Sequence, residues 1–496
     1  MRIRALCWIS VLLGGACSAA DLTGNWVVAQ PNADGTSRNT YLDLKQDGEK
    51  ITGHIRVTQF YYTIQKSTGG PDGFTVEAIS KDNRKVTYQG KLQGDELQIG
   101  TSARAGAPLS ALVAHRAPAG EGAYPAPLPL PALHKVPDNG LAKTPPMGWN
   151  SWNKFHARVD DAGVRAMADA MASNGMKEAG YLYVNIDDTW QGARDAQGNI
   201  QSNKKFPDMK ALAAYVHSKG LKLGIYSSPG PNTCAGYEGT LGHEQQDAKT
   251  WAAWGIDYLK YDWCGARNLY TNEEMQAVYQ KMGDALRATG RPIVFSLCQY
   301  GNNDVWKWGA EVGGNLWRTT GDIRDQWASM TNIGFKQNEL AEYARPGHWN
   351  DPDMLEIGNG GMTDTEYQTH MSLWSILAAP LLAGNDLRDM SPSIKAILLN
   401  REVIAVNQDK DGKQGHRAWL SGDREIWVRD LAGGAKAVAL FNRGDAEAQV
   451  SAKWSDLKMA PPSKGRDLWA HKDMTFQGPE LAATVPSHGV VMYVVR

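Results

Sequence analysis

From about residue 140 to 409 the chain alternates between short apolar runs that read as strands and longer segments with apolar residues at helical spacing. "DAGVRAMADAMASNGMKEAG" carries the helical period and ends at Gly180, and "YLYVNIDDTW" follows as a strand. "DMKALAAYVHSKG" then "LKLGIYSS", "EQQDAKTWAAWG" then "IDYLKYDWC", and "EEMQAVYQKMGDALRATG" then "RPIVFSLCQYG" repeat the unit. With "PPMGWNSWN" ahead and "NLWRTTGDI", "GHWNDPDML" and "APLLAGNDL" behind, eight strands fit into the segment. That count predicts a (β/α)8 TIM barrel of the α/β class, and no GxGxxG follows the first strand to support a dinucleotide-binding sheet.

The flanks have another texture. Residues 21–116 read as short strands around turn signals such as "QDGEK" and "QGDE", which predicts an extra N-terminal antiparallel β domain, barrel or sandwich. Residues 117–137 are rich in Pro and Ala and read as an extended, stiff linker. The barrel is assigned to 138–412, and 413–496 returns to strands ("REIWVRDL", "KAVALFNRG", "TVPSHGVVMYVV") that predict a C-terminal antiparallel β-sandwich. "DKDG" at its start lacks the Glu that a calcium loop needs at its twelfth position and reads as a turn.

Residues 1–20 have Arg2 and Arg4, an apolar run, and small residues ending "CSAA", the pattern of a cleaved secretory signal; the protein is expected to be secreted or periplasmic. "GGAC" lacks the large aliphatic residue of a lipid-anchoring motif at Cys17, and nothing else is long and apolar enough for a membrane span. Without Cys7 and Cys17, Cys234, Cys264 and Cys298 remain, an odd number that allows one internal disulfide and leaves the pairing open. Their spacing does not suit structural zinc, so no metal is expected. A formal net charge of −1 excludes general attraction to nucleic acid or anionic membrane. The 18 Trp against 8 Phe suit the apolar faces of sugar rings as well as a core, and Trp190, Trp251 and Trp254 read as core.

Active sites of such barrels lie at the carboxyl ends of the strands. Those ends offer Trp149 and Trp152, Asp187 and Asp188, Tyr226, then Lys260, Asp262 and Cys264, then Gln299, Arg318 and Asp322, Asp351 and Asp353, and Asn385 and Asp386. Carboxylates accept hydrogen bonds from hydroxyls and aromatic rings stack on C–H faces, so the set suits a neutral polyhydroxylated substrate. A lone Asp at a strand end is also a common helix N-cap, the plainer reading for Asp351 and Asp386. No Ser-His-Asp order, phosphate loop or HExxH is present. Two carboxyls, one ionised and one protonated, suffice for glycoside hydrolysis. Lys260 is two residues from Asp262 and therefore on the same strand face, which favours an ionised Asp262 as nucleophile; Asp322 takes the acid/base role.

The ordered motifs "DNGLAKTPPMGWNSWNKF", "NIDDTW", "GIYSSPGPNTCAG", "YLKYDWC", "LWRTTGDI" and "WNDPDMLEIGN" resemble glycoside hydrolase family 27, the α-galactosidases and α-N-acetylgalactosaminidases. The likeness is close over about 138 to 415, looser beyond, and excludes residues 21–116. It implies a retaining, cofactor-free exo-hydrolase of terminal α-linked D-galactose on an oligosaccharide or a polysaccharide side chain, with Asp262 as nucleophile and Asp322 as acid/base. It implies sugar binding by Trp152, Asp187, Asp188, Tyr226, Lys260, Arg318 and Asp353, and a Cys234–Cys264 disulfide that leaves Cys298 free.

Gln299 stands where animal relatives have a Glu that reads the sugar 2-hydroxyl; its bulk argues for galactose over N-acetylgalactosamine. Retention of both Asp187 and Asp188 argues against a β-L-arabinopyranosidase, and occupancy of both catalytic positions against a non-catalytic carbohydrate-binding protein.

Overall fold

The computed structural model describes residues 21–70, 73–102, 110–118 and 120–496. The leader reading over residues 1–20, with Cys7 and Cys17, lies outside them. Two units form: one holds residues up to Gln30 and Asn39–Tyr124, the other Pro31–Arg38 and Pro125–Arg496.

Ahead of the linker, β1 to β8 (Gly24–Pro31, Ser37–Asp47, Lys50–Val57, Phe60–Gly70, Gly73–Ser80, Lys85–Gln93, Glu96–Ser102 and Ser110–Arg116) pair in chain order. β1 also pairs with β8, Trp26 opposite Arg116, and this closes the ring as a barrel rather than a sandwich. Alternation sends Leu42 and Leu44 of β2, Ile51 and Ile55 of β3 and Val76 of β5 inside with Trp26. Tyr61 stays half-buried on the outer face, stacked on His54 with ring centroids 4.8 Å apart.

The long segment of the second unit, from Pro125, opens with an extended strap. Residues 125–137 have no regular secondary structure, as their composition leads one to expect, yet they lie tied down: Val136 N donates to Glu311 O at 2.7 Å, and Gln280 Nε2 to Ala132 O at 2.7 Å.

The strands β9 (Met147–Asn150) and β10 (Tyr183–Asn185) precede a small hairpin of β11 (Gln191–Arg194) and β12 (Ile200–Ser202) that the alternating pattern did not announce. Then come β13 (Lys222–Ser227), β14 (Tyr258–Asp262), β15 (Val294–Cys298), β16 (Leu316–Arg318), β17 (Trp349–Asp351) and β18 (Leu381–Ala383). The parallel order is β17-β16-β15-β14-β13-β10-β9-β18, and the ring closes where Leu355 N donates to Leu382 O at 2.8 Å and Leu355 bridges Ala383. This is the TIM barrel the sequence predicts. Its helices follow their pattern: Asp161–Ser173 starts where the Asp160 side chain accepts from Gly163 N, and buries Val164, Met167, Ala168 and Met171 at helical spacing. Burying each of its larger apolar side chains contributes roughly 1.5–3 kcal/mol.

The C-terminal strands β19 to β26 (His416–Ser421, Arg424–Asp430, Lys436–Asn442, Ala448–Lys453, Lys464–Asp467, Lys472–Thr475, Glu480–Val485 and Val490–Val495) form an antiparallel six-stranded sheet and a separate β22–β25 pair. Alternation again divides the faces. Ile426, Val428, Val438 and Leu440 pack into the sandwich interior, whereas Trp427, Ala437, Ala439 and Phe441 join the core of the α/β barrel. Arg429 shares the face of Trp427 and donates to Ser375 O at 2.6 Å and Asn407 O at 3.3 Å.

Candidate active site

β14 sets the geometry. Leu259 and Tyr261 point outward into the core, where Tyr261 meets Tyr279 of the helix Met275–Ala288 edge-on at 5.8 Å and Trp263 stacks on the same ring. Lys260 and Asp262 face inward, and Cys264 is bonded to Cys234. Above the strand ends lies a cavity of about 730 Å³ whose wall includes Trp152, Asp187, Asp188, Tyr226, Lys260, Asp262, Arg318, Asp322 and Asp353. Strands far apart in sequence thus bring together every expected catalytic and sugar-binding side chain except Gln299.

Each is held by its neighbours. Asp187 accepts from Lys260 Nζ at 2.9 Å and from Asn150 Nδ2 at 2.8 Å. Asp188 accepts from Ala235 N at 2.8 Å, which ties it to the disulfide loop; burial pushes its carboxyl up to about 7. Arg318 lies 2.8 Å from Asp353 and 3.2 Å from Asp322. Asp353 adopts a left-handed φ of 91° and accepts from Ile323 N at 2.9 Å, so the strain is locked in by its own carboxylate. Burial opposes the Lys260 charge, but the surrounding acidic groups, Asp187 first with Asp262 and Asp353 behind it, together outweigh that cost and hold the ammonium well above its ordinary value.

The two candidate catalytic carboxyls sit in contrasting settings. Asp262 is 4% exposed and accepts from Tyr300 Oη at 2.7 Å; burial raises its pKa against the opposing pull of Lys260 and Tyr300. The Asp322 side chain is 71% exposed. One carboxyl is sheltered and oriented, and the other is open to exchange protons with solvent and a leaving group.

Two expectations change. Lys260 shares the face of Asp262, but its direct ion pair is with Asp187, so it acts on Asp262 across space. Gln299 is fully buried, its amide meets no hydrogen-bond partner among the described residues, and it is off the cavity wall. The register explains this: Cys298 is the Cα partner of Asp262, so alternation gives Cys298 the working face and turns the next residue away. Of the other strand-end residues, Trp149 is buried and donates to Asn385 O at 2.8 Å, Asp351 accepts from Asp353 N at 2.9 Å, and Asp386 pairs with Arg388 at 2.6 Å, all off that wall.

Sequence reasoning missed Tyr300 and the pair Asn153–Glu356, which also line the cavity. Asn153 and Asn359 donate to Glu356, whose carboxyl burial pushes up to about 7. The signal lay next to residues already singled out, in "SLCQYG", "NSWNKF" and "DMLEIGN".

Comparison with known proteins gives the family. Residues 144–409 match the family model described as alpha galactosidase A, and 421–495 match that of the alpha galactosidase C-terminal beta sandwich domain. The chain belongs to the α-galactosidases of glycoside hydrolase family 27. The α-galactosidase of Coffea arabica is 51% identical over 363 residues, covering 72% of this chain and 95% of that one. That of Cyamopsis tetragonoloba is 49% identical over 364 residues, covering 72% and 87%. The solved α-galactosidase I of Mortierella vinacea superposes with a TM-score of 0.70 at 40% identity, over 72% of this chain and 98% of that one. As an α-galactosidase the chain is a galactose-hydrolysing glycosidase. Its N-terminal barrel lies ahead of both family matches, and no helix among the described residues is long and apolar enough to cross a membrane.

Proposed function

We propose that this α-galactosidase acts as a retaining exo-hydrolase on terminal α-linked D-galactose, by double displacement through Asp262 and Asp322, in the exported form that the leader pattern implies. The observation that carries the reading is the asymmetry of the two carboxyls in one cavity, Asp262 sheltered and hydrogen-bonded, Asp322 exposed.

In the first step Asp262 attacks the anomeric carbon while the glycosidic oxygen departs with the proton of Asp322. In the second, water attacks that carbon, Asp322 takes its proton, and the ester bond to Asp262 breaks with its electron pair returning to the carboxylate. Asp187, Asp188, Lys260, Arg318 and Asp353 supply the charged and polar groups that hold the sugar hydroxyls, with Trp152 and Tyr226 offering ring faces. An open cavity of about 730 Å³ has room for a galactosyl unit and part of its aglycone.

The test is the stereochemistry of the first product. Released α-galactose, detected by NMR before mutarotation, together with azide rescue of Asp262→Ala to a β-configured azide, supports the scheme; β-galactose as the initial product of the native enzyme overturns it.

A further inference from the structure

Tyr300 stands where no regular strand would place it. The residue has a left-handed φ of 63° and is followed by Gly301 at 79°, whose N–H donates to Arg318 O at 3.1 Å. A Cβ at Gly301 would lie 2.3 Å from Thr319 O, so only glycine allows this close passage of the chain. The turn returns the Tyr300 ring to the cavity wall, over which the Arg318 guanidinium sits 5.8 Å from the ring centroid. Its hydroxyl is enclosed by both disulfide sulfurs, each 3.8 Å away, and by Asp262 Oδ1 at 2.7 Å.

We propose that Tyr300 is a positioning residue of the reaction, holding Oδ1 of Asp262 so that Oδ2 is the attacking atom and stabilising the carboxylate that reforms when the glycosyl-enzyme is hydrolysed. The inference rests on the reading of Asp262 as nucleophile. In the ester, Oδ1 is a carbonyl oxygen and a weak acceptor; as the bond from the anomeric carbon to Oδ2 breaks, negative charge returns to the carboxyl and the hydroxyl bonds it more strongly. Lys260 does not duplicate this role, because its ammonium is engaged by Asp187. The left-handed tyrosine is strained, and that strain persists where the surrounding structure over-determines it, as the glycine passage and the disulfide do here.

The ionisable groups that face Asp262 are Lys260 on its own strand, Asp187, Tyr226, Cys298, Asp322, Tyr279 and Tyr300. Tyr300 is among those that favour the ionised form, so its removal moves the ionisation of Asp262 to higher pH.

The experiment compares the full-length wild type with Tyr300→Phe, after thermal melting and thiol titration show that fold and disulfide are intact. In the variant the acidic limb of kcat/KM on p-nitrophenyl α-galactoside is expected to move up by about one pH unit. On 2,4-dinitrophenyl α-galactoside, kcat and KM are expected to fall together by about tenfold, because the glycosyl-enzyme accumulates. Difluorotyrosine at position 300, a stronger donor of the same shape, moves the limb the other way. An unmoved acidic limb with KM unchanged overturns the proposal. Failure of the underlying reading is separate: it would appear as turnover surviving in Asp262→Ala without azide.

Discussion

Lys260 Nζ stands 2.9 Å from Asp187 Oδ2, so the ammonium from β14 is paired with the carboxylate that follows β10 and not with Asp262 on its own strand. Removing one partner of a buried pair leaves the other unpaired, at about 3–5 kcal/mol. Lys260→Met is expected to lower the free energy of unfolding by about 3 kcal/mol and kcat/KM by more than a hundredfold. Adding Asp187→Asn should recover most of the stability and none of the activity. Chemical denaturation and kinetics of the single and double variants decide this, and a double variant no more stable than the single would show that the two residues do not act as a unit.

The exposed carboxyl predicts a leaving-group signature. General acid catalysis is worth about 10²–10⁴-fold when the leaving group needs a proton. Asp322→Ala should therefore slow cleavage of an unactivated galactosyl disaccharide by about a thousandfold, while the pre-steady-state burst on a dinitrophenyl galactoside stays near that of the wild type. Equal losses on both substrates would remove Asp322 from the role.

Stability should fall as pH rises toward neutrality. Asp188, Glu356 and Asp351 are buried, with pKa values raised to about 7, about 7 and about 6. For a carboxyl whose pKa is higher folded than unfolded, the stabilisation is complete below the unfolded value near 4 and is lost as pH rises through the folded value. The sugar-free enzyme should melt several degrees higher at pH 5 than at pH 7.5, and Asp188→Asn should flatten that slope. Glu402, held down to about 2 by Arg466, works in the opposite sense only at lower pH. A melting temperature that climbs from pH 5 to 7.5 would contradict the assignment.

The disulfide joins cysteines 30 residues apart and braces the cavity wall through Tyr300 and Asp188. Replacing both Cys234 and Cys264 with Ser should cost about 3.5 kcal/mol of stability by loop closure and reduce kcat beyond what melting explains at assay temperature. Guanidinium unfolding of the variant beside the wild type, oxidised and reduced, provides the check.

The barrel was legible because each of its strands is an apolar run ending in polar residues, a pattern that two-sided burial imposes. Closure of β1 on β8 was not, since local alternation is the same in a barrel and a sandwich and the deciding pair, Trp26 and Arg116, is far apart in the chain. In the site, Asp187, Asp262 and Asp353 could be placed because they sit at strand ends. Gln299 and Tyr300 could not: alternation inside β15 gives Cys298 the working face, and the left-handed turn that brings Tyr300 back depends on the close passage at Gly301 rather than on any local preference of "QYG". Glu356 was missed for a like reason, since its direction is set by a loop and by the amides of Asn153 and Asn359.

Because β1 and β8 lie side by side, the N-terminal ring receives and releases the chain on neighbouring strands. A ring with adjacent entry and exit needs no partner to complete its sheet, and its interior is filled by its own side chains. Such a ring meets the conditions under which a module can be gained or exchanged as a cassette: no open sheet edge is left behind, and the ends to be rejoined lie on neighbouring strands.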